Sequence, residues 1–94
     1  MRILWSEEAL DDLEEILAYY HREASPRTAA AVERRIIGEI ESLPPHPERI
    51  RESDRIPGAG ELVVSKLPYA VFVRVSGDTI IVLNVVHTKR RLPH

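Results

Sequence analysis

Residues 60–87 read GELVVSKLPYAVFVRVSGDTIIVLNVVH, and this stretch decides the fold. It holds three apolar runs, at 61–66, 69–75 and Thr79–His87, rich in the β-branched and aromatic side chains that suit pleated strands. Ser76-Gly77-Asp78 between the last two is a tight-hairpin signal. The last two runs are apolar at nearly every position, as in central strands covered on both faces. Which face Arg74 takes depends on the length of the Gly77 turn, because one residue of slip exchanges the two faces.

Working toward the N-terminus, Arg49 to Pro57 is polar and is predicted to hold a short edge strand. Leu43-Pro44-Pro45-His46-Pro47 stops whatever precedes it, since proline has no amide hydrogen and clashes with the previous turn. Ahead of that stop, Ala29, Val32, Ile36, Ile40 and Leu43 recur at helical spacing behind Ser25 as a cap and Pro26 as the first helical residue. Gly38 costs about 1 kcal/mol there relative to alanine and suggests close packing. A first helix over 7–23 is marked by Ser6 as cap, acids in its opening turns, and apolar Leu10, Leu13, Leu17 and Tyr20. Arg2 to Trp5 reads as a strand.

The expected class is α+β: an N-terminal strand and an α-helical hairpin packed on one face of a mainly antiparallel sheet of about four strands, as one domain over 1–94. No further helix is left to cover the second sheet face. Contiguous apolar surface of that kind marks a binding site.

Composition agrees. The 94 residues are 44% hydrophobic and 30% charged, a globular mixture. A domain this short has a thin stability margin, which a bound partner would widen. The net charge is −2, yet residues 1–48 carry eleven acids against five bases, and residues 49–94 four acids against eight bases. Such a dipole orients a charged partner. Cysteine is absent, excluding disulfides and thiolate chemistry. The N-terminal apolar run meets Glu7 and Glu8 at once, so no signal peptide is expected, and the apolar stretch 80–86 is far below a membrane span. The expected location is the cytoplasm, with no membrane partner.

His21, His46, His87 and His94 lack ligand spacing, so no metal is expected. Gly58-Ala59-Gly60 is no nucleotide loop, and no cofactor is expected. The pairs Glu7/Glu8, Asp11/Asp12 and Glu14/Glu15 read as a solvated helix face. What remains is His87-Thr88-Lys89-Arg90-Arg91, joined by Arg49, Arg51, Arg55, Lys66 and Arg74 as a surface for phosphates or an acidic peptide. RNA cleavage needs a base, an acid and cations around the developing charge. His87 and the basic residues supply part of that set.

Four words, Trp5-Ser6-Glu7-Glu8-Ala9 leading into Asp12-Leu13, Gly58 through Val64, Pro68 through Phe72, and Val86 through Pro93, stand in the order and spacing of one family. The chain resembles the RelE/ParE superfamily of toxins from bacterial toxin–antitoxin modules along essentially its whole length, and is most similar to the ParE branch. The resemblance implies a compact toxin neutralised by a cognate ParD-like antitoxin whose C-terminal segment wraps around it. ParE-like toxins are linked to poisoning of DNA gyrase, and RelE-like toxins to cutting messenger RNA on the ribosome. Tyr69 stands where a ribonuclease relative has arginine, and no late tyrosine follows His87, which itself matches a histidine of some ribonuclease members. Gly60 and Asn84 stand where arginine is common in the family.

Three readings follow. The preferred one is a gyrase-binding toxin with no catalytic residues and a partner surface of Arg55, Lys66, Tyr69, Arg74, Arg90 and Arg91. The second is a ribosome-dependent endoribonuclease using His87, Lys66, Arg74, Arg90 and Arg91. The third is an attenuated homologue that only binds antitoxin.

Overall fold

The computed structural model describes residues 1–89. In chain order the elements are β1 (Arg2–Trp5), α1 (Glu7–Glu23), α2 (Pro26–Glu41), a single 3-10 turn (Pro47–Arg49), β2 (Arg51–Glu52), β3 (Gly60–Val63), β4 (Tyr69–Ser76) and β5 (Thr79–His87). One five-stranded sheet runs in the order β1-β5-β4-β3-β2. The N-terminal strand thus belongs to the sheet itself, paired parallel with β5 at one edge, while the other neighbours are antiparallel.

Both helices start where local chemistry dictates. Ser6 accepts the Ala9 amide hydrogen at 3.0 Å and Ser25 that of Thr28 at 3.0 Å, each satisfying a donor the helix leaves orphaned. Past the end of α2, Arg49 reaches back to Glu39 and to the Ser42 hydroxyl, both at 2.6 Å. That cation neutralises the negative end of α2 and locks the proline turn against it.

The core lies between the hairpin and one sheet face. Val32, Ile36, Ile40 and Leu43 meet Leu62, Val71, Val73, Ile80, Val82 and Val85, all buried. Each such aliphatic side chain contributes roughly 1.5–3 kcal/mol on full burial.

Three details depart from the expected pattern. β3 stops at Val63, and Lys66, with φ of 66°, turns the chain in the left-handed region instead of extending the strand. The Gly77-Asp78 turn has two residues, with Gly77 at φ 59°, and closes on the Ser76–Thr79 pair. β5 carries an extra residue, Leu83, because Phe72 pairs with Asn84 whereas Val73 pairs with Val82. This bulge turns Val85 and His87 toward the helices in step with Val71 and Tyr69.

β1 reaches only to Val82, leaving the outer edge of β5 unpaired beyond that point. The start of α1 takes over. Ser6 donates its hydroxyl to the Leu83 carbonyl at 2.9 Å, and Asp12 accepts from the Val85 amide at 2.9 Å and from the Asn84 carboxamide at 3.3 Å. Asp12 therefore leaves the solvated acidic face to which its sequence neighbours belong.

Candidate partner-binding face

The registers lay out the second sheet face as cross-strand rows. Leu4 pairs with Ile81 and Ile81 with Arg74 at one end; Phe72, Glu61 and Arg51 form the middle row; Val86, Ala70 and Val63 form the third. Leu4 is 46% and Val63 56% exposed, and Arg74 is exposed, whereas Ala70 and Phe72 are buried. The face expected to stand open is thus open along its rim and closed at its centre. The Ser53 hydroxyl, 3.5 Å from Glu61 Oε1, begins the loop 53–59 on this side, and Arg55 is exposed on that loop.

The two-residue turn settles the position of Arg74, which lies on the face away from the helices, opposite Ile81. Arg51, Arg55 and Arg74 gather toward the Gly60–Val73 end of the sheet. Lys66, His87 and Lys89 gather at the opposite end, where Thr88 donates its amide hydrogen to the Pro68 carbonyl at 2.8 Å. Along β4 the two ends are separated by roughly 17 Å at about 3.3 Å per residue. Arg74 is therefore not brought to His87. Arg90 and Arg91, placed in both candidate sets, lie outside the described residues.

Tyr69 is not a surface contact as expected. It is 5% exposed, on the helix side, with its hydroxyl 3.4 Å from that of Tyr20 and its ring edge-on to His87 at 5.4 Å. Its place on the inward row of β4, beside Val71 and Val73, gives it this packing role. His87 is half-buried, and its Nδ1 accepts the Lys89 amide hydrogen at 3.1 Å. That bond occupies the Nδ1 lone pair with a backbone donor.

Gly60, which the resemblance marks as a departure, faces the helix side. Ile50 Cγ2 occupies the place a Cβ would take there. Asn84, the other such position, holds Asp12. Arg55, Lys66 and Arg74 make no ion pair among the described residues, and Arg49 is spent on Glu39. No group of three potential metal ligands occurs among the described residues, and no described helix is long and apolar enough to cross a membrane.

The exposed Leu4 and Val63 were not singled out from sequence. Alternation within RILW carried the signal for Leu4, since Ile3 and Trp5 pack inward.

Comparison with known proteins places this arrangement. A family model described as "ParE toxin of type II toxin-antitoxin system, parDE" matches residues 3–92. A protein of Sinorhizobium fredii (strain NBRC 101917 / NGR234), "Putative toxin Y4kP", is 36% identical over 92 residues, covering 98% of this chain and 93% of that one. Among solved structures, a chain of the chromosomal ParDE toxin–antitoxin system from P. aeruginosa superposes with a TM-score of 0.86 at 24% identity, covering 95% of this chain and 97% of that chain. A chain of the RelB-RelE antitoxin–toxin complex from Methanococcus jannaschii superposes with a TM-score of 0.56 at 22% identity, covering 92% and 91%. At these identities the two structures speak to the fold.

Proposed function

The chain belongs to the ParE toxin family of type II toxin–antitoxin systems, and on that premise we propose that it acts in the cytoplasm by binding DNA gyrase rather than by breaking a bond, and that a ParD-like antitoxin neutralises it. One observation carries the preference for binding over chemistry. The basic residues are divided between two ends of the sheet, and the half-buried His87 has its Nδ1 already engaged. Phosphodiester cleavage needs base, acid and charge stabiliser around one phosphate. Binding needs only complementary surface.

The antitoxin segment in this reading lies across the rim of the second face. Its apolar side chains cover Leu4, Val63 and Ile81, and its acidic ones meet Arg55, Lys66 and Arg74, with Arg90 and Arg91, outside the described residues, proposed as further contacts. Tyr69 contributes from beneath by holding the His87 end. That the solved relatives are toxin–antitoxin systems supports a partner of this kind.

A supercoiling assay with purified gyrase tests the target. Inhibition at micromolar toxin, relieved by antitoxin, is the expected result. Unaffected gyrase together with new cleavage products in ribosome-bound message, lost in His87→Ala, would transfer the chain to the ribonuclease reading. Expression without growth arrest would leave only antitoxin binding.

A further inference from the structure

The helical hairpin turns a second, separate face to solvent. α1 carries Asp11, Glu14 and Glu15 there, lining a groove with Ala18. α2 carries Arg34 and Arg35, which with Gly38, Glu39, Ser42 and Arg49 line a groove of about 330 Å³. Because α1 ends at Glu23 and α2 begins at Pro26, residues equally far from that corner lie level across the hairpin. Glu15 is level with Arg34, Glu14 with Arg35, Asp11 with Gly38 and Ala18 with Ala31. Yet Asp11, Glu14, Glu15, Arg34 and Arg35 form no ion pair among the described residues. Opposite charges stand at matched heights on adjacent helices and point outward without meeting.

Gly38 sharpens this. A Cβ at that position would meet nothing within 4 Å, so the close packing expected of this glycine does not occur. It leaves a notch in the floor of the basic groove. Leu10, 51% exposed beside Asp11, adds apolar surface on the neighbouring helix.

We propose that this face is a self-association surface. Two copies pair about a two-fold axis parallel to the helices, with α1 of each lying antiparallel over α2 of the other. A rotation of that kind keeps heights and exchanges the helices. It sets Glu14 and Glu15 of each copy against Arg34 and Arg35 of the other, and Asp11 over the Gly38 notch. The surface is self-complementary, as a closed dimer requires. Its charged character places the association in the weak, salt-sensitive class. It leaves the second sheet face of both copies clear.

Sedimentation velocity on the full chain from about 10 to about 500 µM tests the proposal, with dimer expected at low salt and receding as salt rises. Glu14→Arg with Glu15→Arg, and separately Arg34→Glu with Arg35→Glu, should each weaken association on the order of tenfold or more. An equimolar mixture of the two variants should dimerise again, because both contacts of the mixed pair are complementary. Misfolded chains would not recover on mixing. Wild type that stays monomeric throughout, reversals without effect, or a mixture of folded variants that stays monomeric would overturn the proposal. If either reversal unfolds the chain, Glu15→Gln and Arg34→Gln must still weaken the dimer, or the idea fails. A monomeric wild type whose Arg34→Glu, Arg35→Glu variant loses antitoxin affinity would assign the face to that partner instead.

Discussion

The Asp12 carboxylate accepts the Val85 amide hydrogen at 2.9 Å, so a helical side chain completes the edge of β5 where β1 has run out. The same oxygen takes the Asn84 carboxamide, tying helix, strand and bulge at one atom. Asp12→Ala should cost about 1–3 kcal/mol in urea unfolding, because it strands a part-buried backbone donor. Asp12→Asn keeps a carbonyl acceptor and should recover most of that loss. Equal losses in the two variants would mean the hydrogen bond is not what matters.

Gly60 and Ile50 share one volume. Gly60→Ala should destabilise by about 1–3 kcal/mol through overpacking. Ile50→Ala empties the contested space, so the double variant should be more stable than the sum of the single losses predicts, by about 1 kcal/mol in a thermodynamic cycle. Additive losses would separate the two sites. Any side chain placed at position 60 therefore also requires a smaller residue at 50.

Arg74 is exposed and makes no ion pair. Arg74→Glu should leave stability within about 0.5 kcal/mol of wild type. It should weaken the antitoxin complex about tenfold and flatten its dependence on ionic strength. Calorimetric titration at two salt concentrations reads both. An unchanged affinity would remove Arg74 from the interface.

Glu48, in the 3-10 turn, is held below the ordinary glutamate value by a backbone hydrogen bond at Glu48 itself, then by the His46 imidazole 3.2 Å away and the Arg49 charge. A lowered folded-state value means its contribution is present above the unfolded value and lost as pH falls through the folded one. An NMR titration should show a depressed Glu48 midpoint that moves up in His46→Ala. A midpoint indifferent to that substitution would discard the imidazole as a cause.

The parts of this fold legible in the sequence are those whose causes are local. Ser6 and Ser25 announce helix starts because a cap acts on the next three residues, and Gly77 announces its turn because few residues tolerate its φ. The parallel pairing of Arg2–Trp5 with β5 was not legible, since its partner lies at the far end of the chain. Nor was the early end of β3, because lysine gives no hint that Lys66 will adopt a left-handed conformation. The candidate site split in the same way. Arg74 was recognisable as a surface cation, but its face depended on a turn length, and its distance from His87 on the sheet order. Tyr69 had the chemistry of a contact residue and was claimed by the core because of its parity along β4.

The surplus residue in β5 has a consequence for how related chains are compared. Were Leu83 to pair with Phe72 in unbroken alternation instead of bulging, everything after it would roll over, lifting the imidazole of His87 out from beside Tyr69 and driving a carboxamide toward the aliphatic interior, whereas deleting Leu83 outright would leave the flanking pairs as they are. Two homologues of equal length can therefore share this histidine letter for letter and still present it to different surroundings, if only one of them sets the extra residue aside as a bulge.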